Sequence, residues 1–152
     1  MVGYESKMTI KLFKTDIVEW VRSTVSKADS GMEWRDAWSE SYFQLGGKSQ
    51  SNSIKACPLN GTKTLYEFGR LKGQIKQPET ASLEQVRDIS ENGLYAFLAI
   101  EELGKESQIN HKALWEKVQT RACSIKGSAP SRDEGTVKVV LALWNERLIQ
   151  NP

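Results

Sequence analysis

Five times along this chain, a residue able to cap a helix stands just ahead of apolar residues spaced three and four apart. That spacing puts side chains on one face of an α-helix, whereas a half-buried strand would alternate them. Asp16, with Glu19 three residues on, leads into Ile17, Val18, Val21 and Val25. Ser30 and Glu33 form a second capping pattern, ahead of Trp34, Ala37, Trp38, Ser41, Tyr42 and Leu45. Gly46-Gly47 then offers the left-handed stop that helix ends favour. Cys57-Pro58 opens the next segment, since a first turn does not miss proline's N–H. Its stripe of Leu65, Phe68 and Leu71 ends at Gly73.

Ser82 with Gln85 precedes Leu83, Val86 and Ile89, followed by Leu94, Phe97 and Ile100. Gly93 is placed to break that run into two helices, and Gly104 closes it. Asn110 caps a stripe of Leu114, Trp115, Val118 and Ala122, and Ser131 with Glu134 precedes Val137, Val140, Leu141, Trp144 and Leu148. Residues 137–143 are β-branched enough to suggest a strand, but the cap and the length through Leu148 favour a helix. The pattern predicts an all-α fold: an N-terminal tail over 1–14, then a single compact domain of six or seven short helices over 15–150.

A chain of 152 residues can bury a core without disulfides or structural metal. Cys57 and Cys123 are too few for a secreted disulfide scaffold, and Met1–Lys14 holds no apolar run of signal or membrane length. The expected compartment is therefore the cytoplasm, with no membrane partner. Asn60-Gly61-Thr62 then spells a glycosylation acceptor only by chance. Met8 is an alternative start to Met1, which would leave Met1–Lys7 as a frayed tail.

Net charge is +2, too small to select a partner, but its distribution is uneven. The segment Lys48–Lys76 carries six basic residues and one acid; Glu79–Glu106 carries seven acids and two basic residues. Oppositely charged faces of this kind can meet within the fold or between two copies.

Few residues could do chemistry. With one histidine, His111, and two ungrouped cysteines, the chain cannot build a His/Cys metal site, and no calcium-loop spacing occurs. No metal and no cofactor are predicted. Gly46-Gly47-Lys48-Ser49 resembles the tail of a phosphate loop, but its upstream glycine position is Tyr42 and an amphipathic helix precedes it. Cys57, at a helix start beside Lys55, could have a lowered thiol pKa and pair with His111 as a nucleophile. Packing as a small hydrophobe is the weightier reading of Cys57.

Trp34, Trp38, Trp115 and Trp144 fit helix stripes and belong to the core. Trp20 falls off its stripe and is a candidate exposed anchor, although core or edge packing weighs more. Lys55, Lys63, Arg70 and Lys72, interleaved with Tyr66 and Phe68, could hold nucleic acid. The helices around Trp115 and Trp144 are joined by a connector too long for a helix-turn-helix.

Trp34-Arg35-Asp36-Ala37-Trp38, Lys55-Ala56-Cys57-Pro58, residues 65–73 and residues 139–144 resemble, in this order, a family of small uncharacterised bacterial proteins without assigned activity. The resemblance spans about Asp16 to Ile149. It implies a fold unit and no catalytic residues. The compact form is also similar to products of bacterial mobile gene cassettes.

The leading expectation is a non-enzymatic binding or adaptor protein, with a protein partner or a second copy of itself. A nucleic-acid binder using the basic 48–76 segment, a Cys57-dependent enzyme or thiol sensor, and a tryptophan-lined small-molecule pocket are the alternatives.

Overall fold

A computed structural model describes residues 9–152. A two-residue hairpin, β1 (Lys11–Leu12) and β2 (Thr15–Asp16), leads into α1 (Ile17–Asp29) and α2 (Trp34–Gln44). A single turn, α3 (Gln50–Ser53), precedes α4 (Ala56–Glu67). Then follow α5 (Leu83–Ile89), α6 (Glu91–Lys105), α7 (His111–Lys126) and α8 (Thr136–Asn145). The fold is mostly helical, as the stripes predict. The expected tail of Met1–Lys7 lies outside the described residues. The folded unit starts earlier than residue 15, because Leu12 is buried in the core and Ile17 N–H donates to the Ile10 carbonyl.

Helix α6 is the axis of the molecule. Residues 93–100 are all buried, with α4, α5, α7 and α8 packed around them. α1 and α2 form a second layer whose contact is aromatic. Trp20 stacks on Trp38 with ring centroids 4.2 Å apart, and Trp34 stacks on Tyr66 at 4.9 Å. The chain end is also tied in: Leu71 bridges to Ile149, and Gln150 N–H donates to the Arg70 carbonyl.

Local signals succeed where a side chain can reach the helix start. Asp16 accepts from Glu19 N–H, Asn110 accepts from Ala113 N–H, and Ser82 with Gln85 completes a reciprocal capping box. Two expected caps are displaced. Ser30 closes α1, and Gly31 (φ 109°) turns the chain so that α2 begins behind Glu33 with no side-chain cap. At α8, Asp133 displaces Ser131 and Glu134. Its carboxylate accepts from the N–H groups of Gly135, Val137 and Lys138, and a negative charge suits a helix N-terminus better than a hydroxyl.

The break between α5 and α6 falls at Ser90, not Gly93. Ser90 is extended (φ −163°, ψ 129°), ends one helix and caps the next by accepting from Gly93 N–H. Gly93 lies inside α6 because α4 comes so close that an added Cβ would stand 2.6 Å from Thr64. α4 itself stops at Glu67, short of Gly73, because the chain turns left-handed at Gly69.

The α6–α7 contact carries a charged clasp. Buried Glu102 accepts from Arg121 at 2.9 Å and Lys105 at 3.2 Å, while Arg121 also reaches Glu101 at 2.8 Å. Burial pushes the Glu102 carboxyl up, but the bonds and charges of Lys105 and Arg121 outweigh it and hold the group below its ordinary value. A carboxyl depressed in the folded state contributes stability above its unfolded pKa, about 4.3, and that stability is lost as pH falls through the folded value. Glu102→Gln is therefore expected to cost about 1–3 kcal/mol at pH 7. In denaturant titrations the gap to the parent protein should close as pH drops below about 4.

Candidate functional site

The predicted site residues do not converge. Cys57 is half-buried at the second position of α4, and His111 begins α7. Burial first, and the charge of Glu134 next, push the Cys57 thiol up; the bond to Asn92 and the charge of Lys55 oppose them, and Asp133 adds a minor upward push. His111 is engaged elsewhere, its Nε2 lying 2.8 Å from Asp133 Oδ2. Among the described residues no hydrogen bond joins Cys57 to His111. The net push on the thiol is upward, opposite to the direction an activated nucleophile needs.

Arg70 also leaves its expected surface. Only 7% exposed, it donates from Nε and Nη2 to the Glu79 carbonyl at 3.1 and 2.9 Å and lies 4.7 Å from the centre of the Phe97 ring. Its guanidinium is spent on holding a loop. Lys55, Lys63 and Lys72 remain exposed.

Trp20 is fully buried and donates to the Trp38 carbonyl at 2.8 Å. Within α1 it lies on the buried face with Ile17, Val21, Thr24 and Val25, at helical offsets of three and four, and α2 and Phe13 of the hairpin cover that face. Trp20 is therefore core and not an exposed anchor. The tryptophans do not gather round a cleft: Trp20, Trp34 and Trp38 stack on one another or on neighbouring rings.

The surface features that sequence reasoning missed are Ile75 and Ile89, 75% and 56% exposed. They flank a groove of about 790 Å³ whose floor includes Tyr66 and Phe68. Ile89 reads in sequence as part of the α5 stripe, and Ile75 is an isolated apolar residue among lysines, so neither announces itself. One wall is α5. The other is the segment from Leu71 to Ala81, which is not helical but is firmly fixed.

Glu79 N–H donates to the Phe68 carbonyl (2.9 Å), Gln74 Nε2 to the Tyr66 carbonyl (2.8 Å), and Lys76 Nζ to the Glu67 carbonyl (2.6 Å). Asp29 joins wall to floor, accepting from Tyr66 Oη at 2.7 Å and from Ile75 N–H at 3.0 Å. Burial, helped by the bond to Asp29 and its charge, pushes the Tyr66 hydroxyl up to about 12, so it stays a donor at physiological pH. The Tyr66 phenol and the Asp29 carboxylate are both engaged and Lys76 pairs with Glu79, which leaves Glu67 as the lining acid without an ion pair among the described residues. The groove's exposed surface is mainly apolar.

No group of three or more His, Cys, Asp or Glu among the described residues could hold a metal ion. None of the described helices is long and apolar enough to cross a membrane. The model of a family of unknown function, DUF6979, matches residues 18–150. The chain belongs to DUF6979. Every groove residue lies inside the matched span, whereas the β1–β2 turn lies before it. No curated protein and no solved structure matches the chain. Membership of DUF6979 establishes kinship, and the groove has to speak for function.

Proposed function

We propose that this is a non-catalytic binding protein that pairs with a second copy of itself through the Ile75–Ile89 groove. The observation that carries the reading is two exposed isoleucines of opposite surroundings on a prefixed surface. Ile75 is flanked in sequence by Lys72 and Lys76, and Ile89 by Glu84 and by Asp88, whose charge is partly met by Arg87 at 3.8 Å. A two-fold contact brings each basic wall against the acidic wall of the other copy, with apolar burial at the centre. Part of the charge is satisfied internally, since Lys76 pairs with Glu79 at 3.2 Å and Glu91 with Lys126 at 3.3 Å. Lys72 and Glu84, which make no ion pair among the described residues, are left to steer the approach.

Because the wall is already fixed by hydrogen bonds, association orders little chain, which lowers its entropic cost. A bacterial cytoplasm suits the reading. Both cysteines are free and Cys123 is exposed, as a reducing compartment allows.

The test is sedimentation of the parent chain and Ile75→Asp. The parent is expected to dimerise at micromolar concentration, and more weakly as salt is raised. Two copies of the substitution, each losing about 1.5–3 kcal/mol of side-chain burial, should weaken the dimer about 100-fold or more. A parent chain that stays monomeric in low salt would remove the proposal, as would an Ile75→Asp variant that dimerises as well as its parent.

A further inference from the structure

A second concavity, remote from the groove in sequence, lies where the β1–β2 turn meets the loop after α2. It encloses about 430 Å³ and is bordered by Lys14, Lys48, Tyr42, Asn52, Phe13 and Leu45, among others. None of its lining residues is Asp or Glu. Like several other surface lysines, Lys14 and Lys48 have no carboxylate partner among the described residues; what sets them apart is that both border one concavity without acids.

The donors continue beyond the lysines. The buried Tyr42 hydroxyl accepts from Ser49 N–H at 3.2 Å, so its own proton is available, and no acceptor for it is found among the described residues. The Asn52 side-chain amide likewise makes no hydrogen bond among the described residues. We infer that this concavity binds a small organic anion, a phosphate ester or a carboxylate, whose charge sits between Lys14 and Lys48 and whose apolar body lies on Phe13 and Leu45.

The backbone of the turn supports the same reading independently. Phe13 (φ 53°) and Lys14 (φ 67°) are both left-handed, at the two central positions of a two-residue hairpin turn. Such turns take Asn and Gly readily and resist other side chains. Phe13 gains in return, because its ring lies against Trp20 at a centroid distance of 6.5 Å. Lys14 is exposed and gains no burial. A cation held in an unfavourable conformation, over a cavity without acids, is strain placed where a ligand can use it.

Isothermal titration of the full chain with phenyl phosphate, and with phenol as the uncharged control, tests this. Phenyl phosphate should bind saturably at low salt and phenol should not. Lys48→Gln should weaken phenyl phosphate binding about tenfold, the loss of one charge-assisted contact. Lys14→Gly should weaken it similarly while raising Tm by about 2–4 °C, because glycine relieves the left-handed penalty. A variant that is more stable yet binds worse separates a ligand role from a structural one. The inference is overturned by an absence of saturable phenyl phosphate binding at millimolar concentration, or by binding that Lys14→Gly and Lys48→Gln both leave unchanged.

Discussion

Trp20→Ala is expected to remove about 3–5 kcal/mol of folding stability, the range for truncating a buried aromatic. A domain of ordinary stability holds about 5–15 kcal/mol, so the variant should stand near the edge of folding. The ring is fully buried, stacks on Trp38 at 4.2 Å and tilts against Tyr42 at 5.1 Å. Its Nε1–H also satisfies the Trp38 carbonyl. Removing it empties the seam between α1 and α2. Denaturant titration followed by circular dichroism would measure the loss. A cost of no more than about 0.5 kcal/mol, the usual range for surface changes, would show that the seam is not packed as described.

Gly69→Ala should be nearly as severe, with a more local signature. Gly69 has φ +70°, a conformation that costs a residue bearing Cβ about 1–2 kcal/mol. It also faces the chain it has just turned away from, and a Cβ would press on the Gln77 carbonyl and stand 2.9 Å from Pro78 Cα. Both obstacles are backbone, which cannot swing aside as a flexible side chain can. Strain and overpacking together predict a loss of about 2–5 kcal/mol. The cheapest relief is for residues 74–79 to lift off Tyr66 and Phe68, which dismantles one wall of the groove while the helices persist. Hydrogen exchange should show the amides of Ile75 and Glu79 losing protection first, and self-association should fall with them. Unchanged protection of those two amides would contradict this account.

How far the molecule is legible in its sequence depends on how local each feature is. α5 is written plainly, because Ser82 and Gln85 need only each other to close a capping box. α7 is equally plain at its start, where Asn110 caps it, but it runs past the Ala122 end of its stripe to a left-handed stop at Gly127. The hairpin is hidden, since Phe13-Lys14 lacks the Asn-Gly signature of its turn. Arg70 reads as a surface cation because its partners, the Glu79 carbonyl and the Phe97 face, lie 9 and 27 residues away and only the fold brings them together. Trp20 is the same case, read as a candidate for the surface and found buried. Ile17 stands three residues before it on the same buried face of α1, a pairing that a stripe drawn through Val18 passes over, and α2 closes that face.

The groove was invisible for a further reason. Periodicity counts an apolar residue toward a core and has no means to mark one left outside it. Ile89 keeps perfect step with Leu83 and Val86, yet it ends on the solvent side of α5, beyond the reach of α6.

The bridge between Leu71 and Ile149 joins the carboxyl end of the chain to the strip that bears Ile75. A group fused behind Pro152 would therefore be tethered to the strip whose Ile75 borders the proposed docking groove. Tension, bulk or charge added there would act within a few residues on one wall of that groove, which makes this terminus a handle for adjusting the proposed self-association.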